Sequence, residues 1–248
     1  MIAATSLGLL MLAQSQRAFL ANDGLLIGEW RSAQWVRIAE DLKGSEEPMT
    51  LWKLEPTQAA SSRECKGFFV GEGVFGHFLR GEPAEWKGTF WGGPKPGYPR
   101  PIQPLPRDSK PHLQVISQIL RSKKMSKATP RIEAGYRVDL DGDGVQEVLL
   151  HATTMTDPAK MFMEKKGRYG LLLLRVLEEG KARNIELEFT HDGQELFNAL
   201  SIDAIADLDG DGVYEFVLSS DYYQGQSARL MQWNKGRLRM LVDNAAGA

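Results

Sequence analysis

The chain of 248 residues contains a single cysteine, Cys65, so it can form no intrachain disulfide and no cysteine-based zinc cluster. It also lacks an excess of either charge, because 30 Lys and Arg residues face 32 Asp and Glu residues, for a formal net charge of −2. This balance argues against a strongly basic nucleic-acid-binding protein, and we predict no nucleic-acid partner. Apolar residues make up 42% and charged residues 25%, values that exclude a disordered or multi-span membrane protein.

Long apolar runs are missing too, since the mostly apolar run from Ile2 to Ala13 is shorter than the roughly 20 residues that span a bilayer. We therefore predict no transmembrane span in the mature chain. The run has the length of a signal-peptide core, and Ala13 and Ser15 are small residues of the kind found at cleavage sites. No Lys or Arg precedes it, which leaves a buried N-terminal helix as the alternative. We expect residues 1–15 to be a signal peptide and the protein to be secreted or periplasmic.

The remaining sequence divides into three regions. Residues 20–93 are predicted to be β-rich, because short aromatic and branched runs are separated by glycines. Residues 94–111 contain seven of the twelve prolines, which cannot donate to a sheet, so we expect an extended linker there. Pro111 suits the first turn of a helix, and apolar residues then recur at helical spacing, which predicts one helix near residues 111–123. The third region, 112–248, would hold this helix and two β repeats.

The repeats are marked by two nearly identical acidic segments. Residues 139–147 read DLDGDGVQE and residues 207–215 read DLDGDGVYE, so eight of the nine positions agree. Apolar residues precede and follow each copy, and each repeat then reads strand, loop, strand, strand, turn, strand. We predict a mainly β fold with two four-stranded, blade-like repeats, a β-rich N-terminal half and the one helix. Two blades cannot close a propeller, which leaves a partial propeller or a sandwich as alternatives.

Each acidic segment places four carboxylates within nine residues. Asp139, Asp141 and Asp143 alternate, so a backbone that curls around a centre can direct all three inward. Gly142 and Gly144 permit the positive φ angles that such a curl requires. Because carboxylates this close repel one another, a bound cation is expected. Oxygen ligands favour a hard divalent ion, and Ca²⁺ tolerates irregular geometry better than Mg²⁺, whereas zinc prefers His or Cys.

The spacing differs from that of an EF-hand, whose twelfth position would here be Leu150 or Leu218 instead of a bidentate Glu. It resembles the DxDxDGxxD loops of FG-GAP and VCBS-type repeats, such as the calcium hairpins of integrin α-chain propellers, over about residues 131–245. In that family positions 1, 3, 5 and 9 supply side-chain ligands and position 7 a backbone carbonyl; this chain has Glu for the commoner Asp at position 9. The resemblance implies two Ca²⁺ sites with the following ligands: Asp139, Asp141, Asp143, Val145 (carbonyl) and Glu147, and Asp207, Asp209, Asp211, Val213 (carbonyl) and Glu215.

The sequence thus favours an exported, non-catalytic calcium-binding β-repeat protein in which Ca²⁺ stabilises the hairpin loops. It contains no nucleophile elbow, P-loop or HExxH motif. Such a protein would act as a structural or binding module for a protein or glycan partner that the sequence does not identify. Two alternatives remain: a hydrolase with its cleft in the N-terminal half or between the halves, and a carbohydrate-binding or adhesion module that uses Tyr222, Tyr223 and Trp233.

Overall fold

The structure is a computed structural model, and it describes these parts of the chain: residues 17–39, 42–44, 48–57, 60–65, 68–70, 77–79, 86–155, 167–192, 197–222 and 225–247. Within them the fold is mainly β, with one α-helix and three antiparallel sheets, none closed into a barrel, which confirms the predicted fold class. The expected signal peptide, residues 1–15, lies outside the described residues. No helix in the described part of the chain has the length and apolarity needed to cross a bilayer.

The N-terminal half forms a sheet of eight strands. They are β1 (Ala18–Asn22), β2 (Leu25–Arg31), β3 (Gln34–Val36), β4 (Met49–Leu54), β5 (Ser61–Cys65), β6 (Phe68–Val70), β7 (His77–Leu79) and β8 (Thr89–Trp91). The order across the sheet is β5-β4-β8-β1-β2-β7-β6, and β3 pairs with β2. Strands β1 and β2 lie at its centre, and their apolar residues Leu20, Leu25 and Ile27 are fully buried.

The proline-rich segment leads from this sheet to the helix. Its only strand among the described residues, β9 (Gln103–Pro104), pairs with the edge of the next sheet, a position that accommodates a residue without an N–H. Helix α1 (Lys110–Ser122) begins next to Ser109 and buries Ile116 and Leu120, as the helical spacing predicts. A further backbone bridge joins Gly97 to Asp207, so the segment also lies against the second acidic loop.

Each repeat forms a four-stranded antiparallel meander. The first contains β10 (Ile132–Val138), β11 (Glu147–Thr153), β12 (Tyr169–Glu178) and β13 (Lys181–His191), with β9 added at its edge. The second contains β14 (Ala199–Ala206), β15 (Glu215–Tyr222), β16 (Gly225–Asn234) and β17 (Arg237–Gly247). In both repeats the acidic segment connects the first strand to the second, as predicted.

The three sheets and the helix are stacked face to face. Alternate residues of β12 point to opposite faces, so Leu173 packs towards α1 while Leu172 packs towards the second repeat. In β15, Phe216 packs on the first repeat and Val217 on the N-terminal sheet. The order is therefore helix, first repeat, second repeat and N-terminal sheet, and the second repeat is covered on both faces.

Candidate metal centres

The two acidic loops are anchored where their strands pair. Val138 pairs with Glu147 across the first hairpin, and Ala206 pairs with Glu215 across the second. Between these anchors the backbone makes the curl expected from the glycines: their φ angles are positive at both glycine positions of each loop. The values are +77° for Gly142, +87° for Gly144, +79° for Gly210 and +83° for Gly212. L-residues rarely adopt these angles, so the local sequence determines the loop conformation.

The first aspartate of each loop holds the curl together. Asp139 accepts a hydrogen bond from the Gly142 N–H at 2.7 Å through Oδ1 and one from the Gly144 N–H at 3.1 Å through Oδ2. The corresponding two bonds of Asp207 measure 2.8 and 3.1 Å. The two loops therefore have the same internal architecture, although their partner strands belong to different sheets.

Three carboxylates converge in each loop. One oxygen from each of Asp139, Asp141 and Glu147 lies within 4.8 Å of the other two, and the second loop repeats the arrangement. In the second loop the three converging carboxylates are those of Asp207, Asp209 and Glu215. Two acidic triads that could hold a metal ion are thus present in the described structure.

The remaining predicted ligands occupy the middle of each loop. Asp143 Oδ1 accepts the Val145 N–H at 2.7 Å, and Asp211 Oδ1 accepts the Val213 N–H at the same distance. Neither Asp143 nor Asp211 belongs to the triads among the described residues. The structure therefore brings three of the four predicted carboxylates of each loop together and gives the fourth a role in the turn.

The glutamates at position 9 are the most buried members of the triads. Glu147 is 3% exposed and Glu215 only 1%, and each Oε2 accepts a backbone N–H of its own loop, that of Leu140 or Leu208, at 2.9 Å. Burial, together with the negative charges of neighbouring aspartates, raises the pKa of Glu147 to about 7 and that of Glu215 to about 8. Burial also raises the pKa of Asp209 to about 6. Negative charge in these loops is therefore costly, and a cation would offset that cost.

Sequence reasoning missed Arg100, which lies in the proline-rich segment and reaches both loops. Its Nε donates to the Asp139 carbonyl at 2.6 Å, and its Nη2 donates to the Gly212 carbonyl at 2.7 Å. The side chain of Tyr214, the one loop position at which the two repeats differ, packs under the guanidinium at 5.0 Å from its ring centroid. The replacement of Gln146 in the first loop by Tyr214 in the second was the available sequence signal, because it indicates that the second loop packs against an additional residue.

A cluster of carboxyl groups that the sequence did not predict lies where strands β14 and β15 approach the β1–β2 turn. Asp203 Oδ1 accepts the Ser201 hydroxyl at 2.6 Å, and burial raises the pKa of Asp203. Burial, followed by the negative charges of Asp23 and Asp203, raises the pKa of Asp221 to about 6. These carboxyls do not form a convergent triad within the described residues.

Of the three aromatic residues proposed for carbohydrate binding, Trp233 is buried and so cannot form part of an open binding patch. Trp233 is 3% exposed and belongs to the core between the two repeats. The Tyr222 hydroxyl contacts the Ala246 carbonyl at 3.2 Å, and Tyr223 lies outside the described residues. In the described structure, Trp233 therefore contributes to packing.

Comparison of the chain with protein-family models, with curated proteins and with solved structures gives no match.

Proposed function

We propose that the protein is a non-catalytic calcium-binding module that holds one Ca²⁺ ion in each loop, and that the ions stabilise the hairpins. The burial of Glu215 carries the proposal. This carboxyl is 1% exposed, and its two oxygens accept the Leu208 N–H and the Gln232 amide, both at 2.9 Å. The described part of the chain gives it no ion pair with Lys, Arg or His, so its charge is left without a protein counter-ion. A buried carboxylate without a cation is strongly disfavoured.

The donor set favours calcium. Each triad offers carboxylate oxygens only, and such ligands suit a hard cation. The three carboxylates lie in an irregular loop, which suits the flexible coordination of Ca²⁺ better than the strict octahedral coordination of Mg²⁺. Asp143 and Val145 in the first loop, with Asp211 and Val213 in the second, would complete the two ligand sets, in line with the resemblance to FG-GAP and VCBS-type loops. When bound, the ion would supply positive charge at the place where burial penalises the carboxylates.

The proposed role is structural. Both loops join the first two strands of a repeat, and these strands carry buried residues of the core between the repeats. An ion that fixes the loop therefore also fixes the register at the loop end of each hairpin. We propose that the protein is exported, on the grounds of its N-terminal apolar run, to a compartment where calcium modules work with dissociation constants of about 10⁻⁴ to 10⁻³ M.

Calorimetric titration with Ca²⁺ tests the proposal. The expected stoichiometry is two ions per chain, falling to one in Asp209→Asn, because this substitution removes one charged ligand of the second triad. Asp243→Asn is the matched control: Asp243 is exposed on β17, where it pairs with Arg37 at 2.7 Å, and this variant should still bind two ions. Absence of calcium binding by the unaltered protein, or an unchanged count in Asp209→Asn, would refute the assignment.

A further inference from the structure

Arg100 links the two loops, and we infer that it is a positioning residue through which calcium in one loop strengthens binding in the other. The inference rests on the proposed calcium binding and adds that the two sites are coupled positively. It follows from the hydrogen bonds that connect the proline-rich segment, the first loop and the second loop.

The backbone around Arg100 is fixed to the second loop. The Gly97 N–H donates to the Asp207 carbonyl at 2.7 Å, and the Asp207 N–H donates back to the Gly97 carbonyl at 3.0 Å. The Arg100 N–H donates to the Tyr214 hydroxyl at 3.1 Å, and that hydroxyl in turn donates to the Arg100 carbonyl. Since Tyr214 is fully buried and precedes Glu215, the second loop sets the position of the Arg100 backbone.

The side chain of Arg100 extends from this support into the first loop. The guanidinium donates to the carbonyls of Asp139 at 2.6 Å and Leu140 at 3.1 Å, and its Nε lies 3.8 Å from Asp139 Oδ2. A Cβ placed on Gly142 would lie 3.0 Å from Nη1, so the guanidinium packs directly on the curl. The same Nη2 that reaches Leu140 also bonds the Gly212 carbonyl of the second loop at 2.7 Å. Hydrogen bonds from a charged donor are about twice as strong as neutral ones.

The two sites meet at the backbone of Leu140. Its N–H is bound by the triad residue Glu147, whereas its carbonyl accepts both Arg100 Nη2 and the Tyr214 N–H, the latter at 2.8 Å. A second link runs from the Lys235 N–H, in the β16–β17 turn, to Asp141 Oδ2 at 2.8 Å. A cation that orders the first triad therefore orders groups to which the second repeat is directly bonded.

The coupling is positive because the shared groups are ordered once. When the first ion fixes the Leu140 backbone and the Arg100 side chain, the second ion meets a partner loop that has already lost this conformational freedom. Repulsion between the two ions acts in the opposite direction, but screening over about 8 Å at physiological ionic strength weakens it between partly exposed sites. Direct hydrogen bonds are not screened in this way, so they determine that the coupling between the two sites is positive.

Calorimetry with Ca²⁺ alone measures the coupling. The coupling factor is the overall association constant for two ions in the unaltered protein, divided by the product of two single-site association constants. The constant for the first loop is measured in Asp209→Asn, and the constant for the second loop in Asp141→Asn. We expect a factor of at least about 5, the lower end for coupled sites. In an Arg100→Met background, in which all three association constants are measured again, the factor should fall close to 1.

The control for the change in net charge is Arg107→Met. Arg107 lies in the same segment and bonds the half-buried Glu133, away from both loops, so this variant should keep the full factor. Arg100→Lys retains the charge but not the fork of donors, and it should therefore fail to restore coupling. If Arg100→Met does not fold, Tyr214→Phe replaces it, because it removes only the hydroxyl that holds the Arg100 backbone and should lower the factor.

The outcomes separate this inference from the proposed function. Two bound ions with a factor close to 1 in the unaltered protein would overturn the coupling and leave the calcium sites in place. An undiminished factor in Arg100→Met, or in Tyr214→Phe where that variant is used, would overturn the role of Arg100. No calcium binding by the unaltered protein would overturn both proposals.

Discussion

Replacing Glu215 with glutamine should stabilise the protein in chelator and halve the stabilisation that calcium gives. The substitution keeps the shape of the side chain: the Gln carbonyl can accept the Leu208 N–H, and its amide can donate to the side-chain oxygen of Gln232 after that amide turns over. It removes the negative charge that burial disfavours. In chelator at pH 7 we therefore expect Glu215→Gln to be more stable than the unaltered protein, whereas in calcium it should lose the contribution of one site.

The size of the effect follows from the pKa of Glu215, which burial raises from 4.5 to about 8. A carboxyl with a raised pKa contributes stability below the unfolded pKa and loses that contribution as the pH rises through the folded pKa. Between pH 4.5 and 7 this loss amounts to about 3 kcal/mol, at about 1.4 kcal/mol per pH unit. For a domain of this size, about 3 kcal/mol corresponds to a melting temperature roughly 6–12 °C higher for the variant.

Calcium should cancel most of this difference. At a concentration 100 times the dissociation constant, one bound ion stabilises the fold by about 2.7 kcal/mol, so the unaltered protein gains from two ions and the variant from one. Thermal melts at pH 7 in chelator and in calcium measure both effects. The matched control is Glu186→Gln, since Glu186 is exposed and pairs only with Lys123 among the described residues, and its melts should follow the unaltered protein. A variant less stable than the unaltered protein in chelator, or one with an undiminished gain from calcium, would refute the reasoning.

Two further predictions concern pH and packing. Burial raises the pKa of Glu147 to about 7, so the protein in chelator should lose stability as the pH rises from 5 to 8. Urea titrations measure this loss, and saturating calcium should reduce its dependence on pH. A stability in chelator that does not change with pH would contradict the prediction. Gly28→Ala would place a Cβ 2.5 Å from Val242 Cγ2, where β2 meets β17, and should lower the free energy of unfolding by about 1–3 kcal/mol. Gly180→Ala is the control for the added methyl group, because its Cβ meets nothing within 4 Å, although its φ of +75° brings some backbone strain. An equal loss in the free energy of unfolding in both variants would contradict the packing argument.

The sequence predicted those parts of the site that depend on neighbouring residues. The alternation of Asp139 and Asp141 with a glycine at 142 is enough to specify the curl, because the constraint is local. Helix α1 was predicted within one residue at each end, since a proline in the first turn and a regular apolar spacing mark it. Strand order within each repeat followed from short connections.

What the sequence could not predict depends on contacts between distant segments. Arg100 precedes the first loop by 39 residues and the Gly212 carbonyl by 112, and no local pattern distinguishes it from other arginines. The near-complete burial of Glu215 follows from the packing of three sheets, which periodicity does not specify. The hydrogen bond from the Val145 N–H to Asp143 Oδ1 was not predicted either, since the acidic pattern does not show which aspartates accept the N–H two residues ahead.

The central position of the second repeat also has a consequence for how the chain reaches its native state. The Asn244 amide donates to the Leu26 carbonyl at 2.7 Å across 218 residues of sequence, and β17 packs on β2 through Val242 and Gly28. During synthesis the apolar face of the N-terminal sheet therefore lacks part of its native cover until β17 has emerged from the ribosome. A topology with contacts this distant folds slowly and leaves an aggregation-prone surface exposed in the meantime.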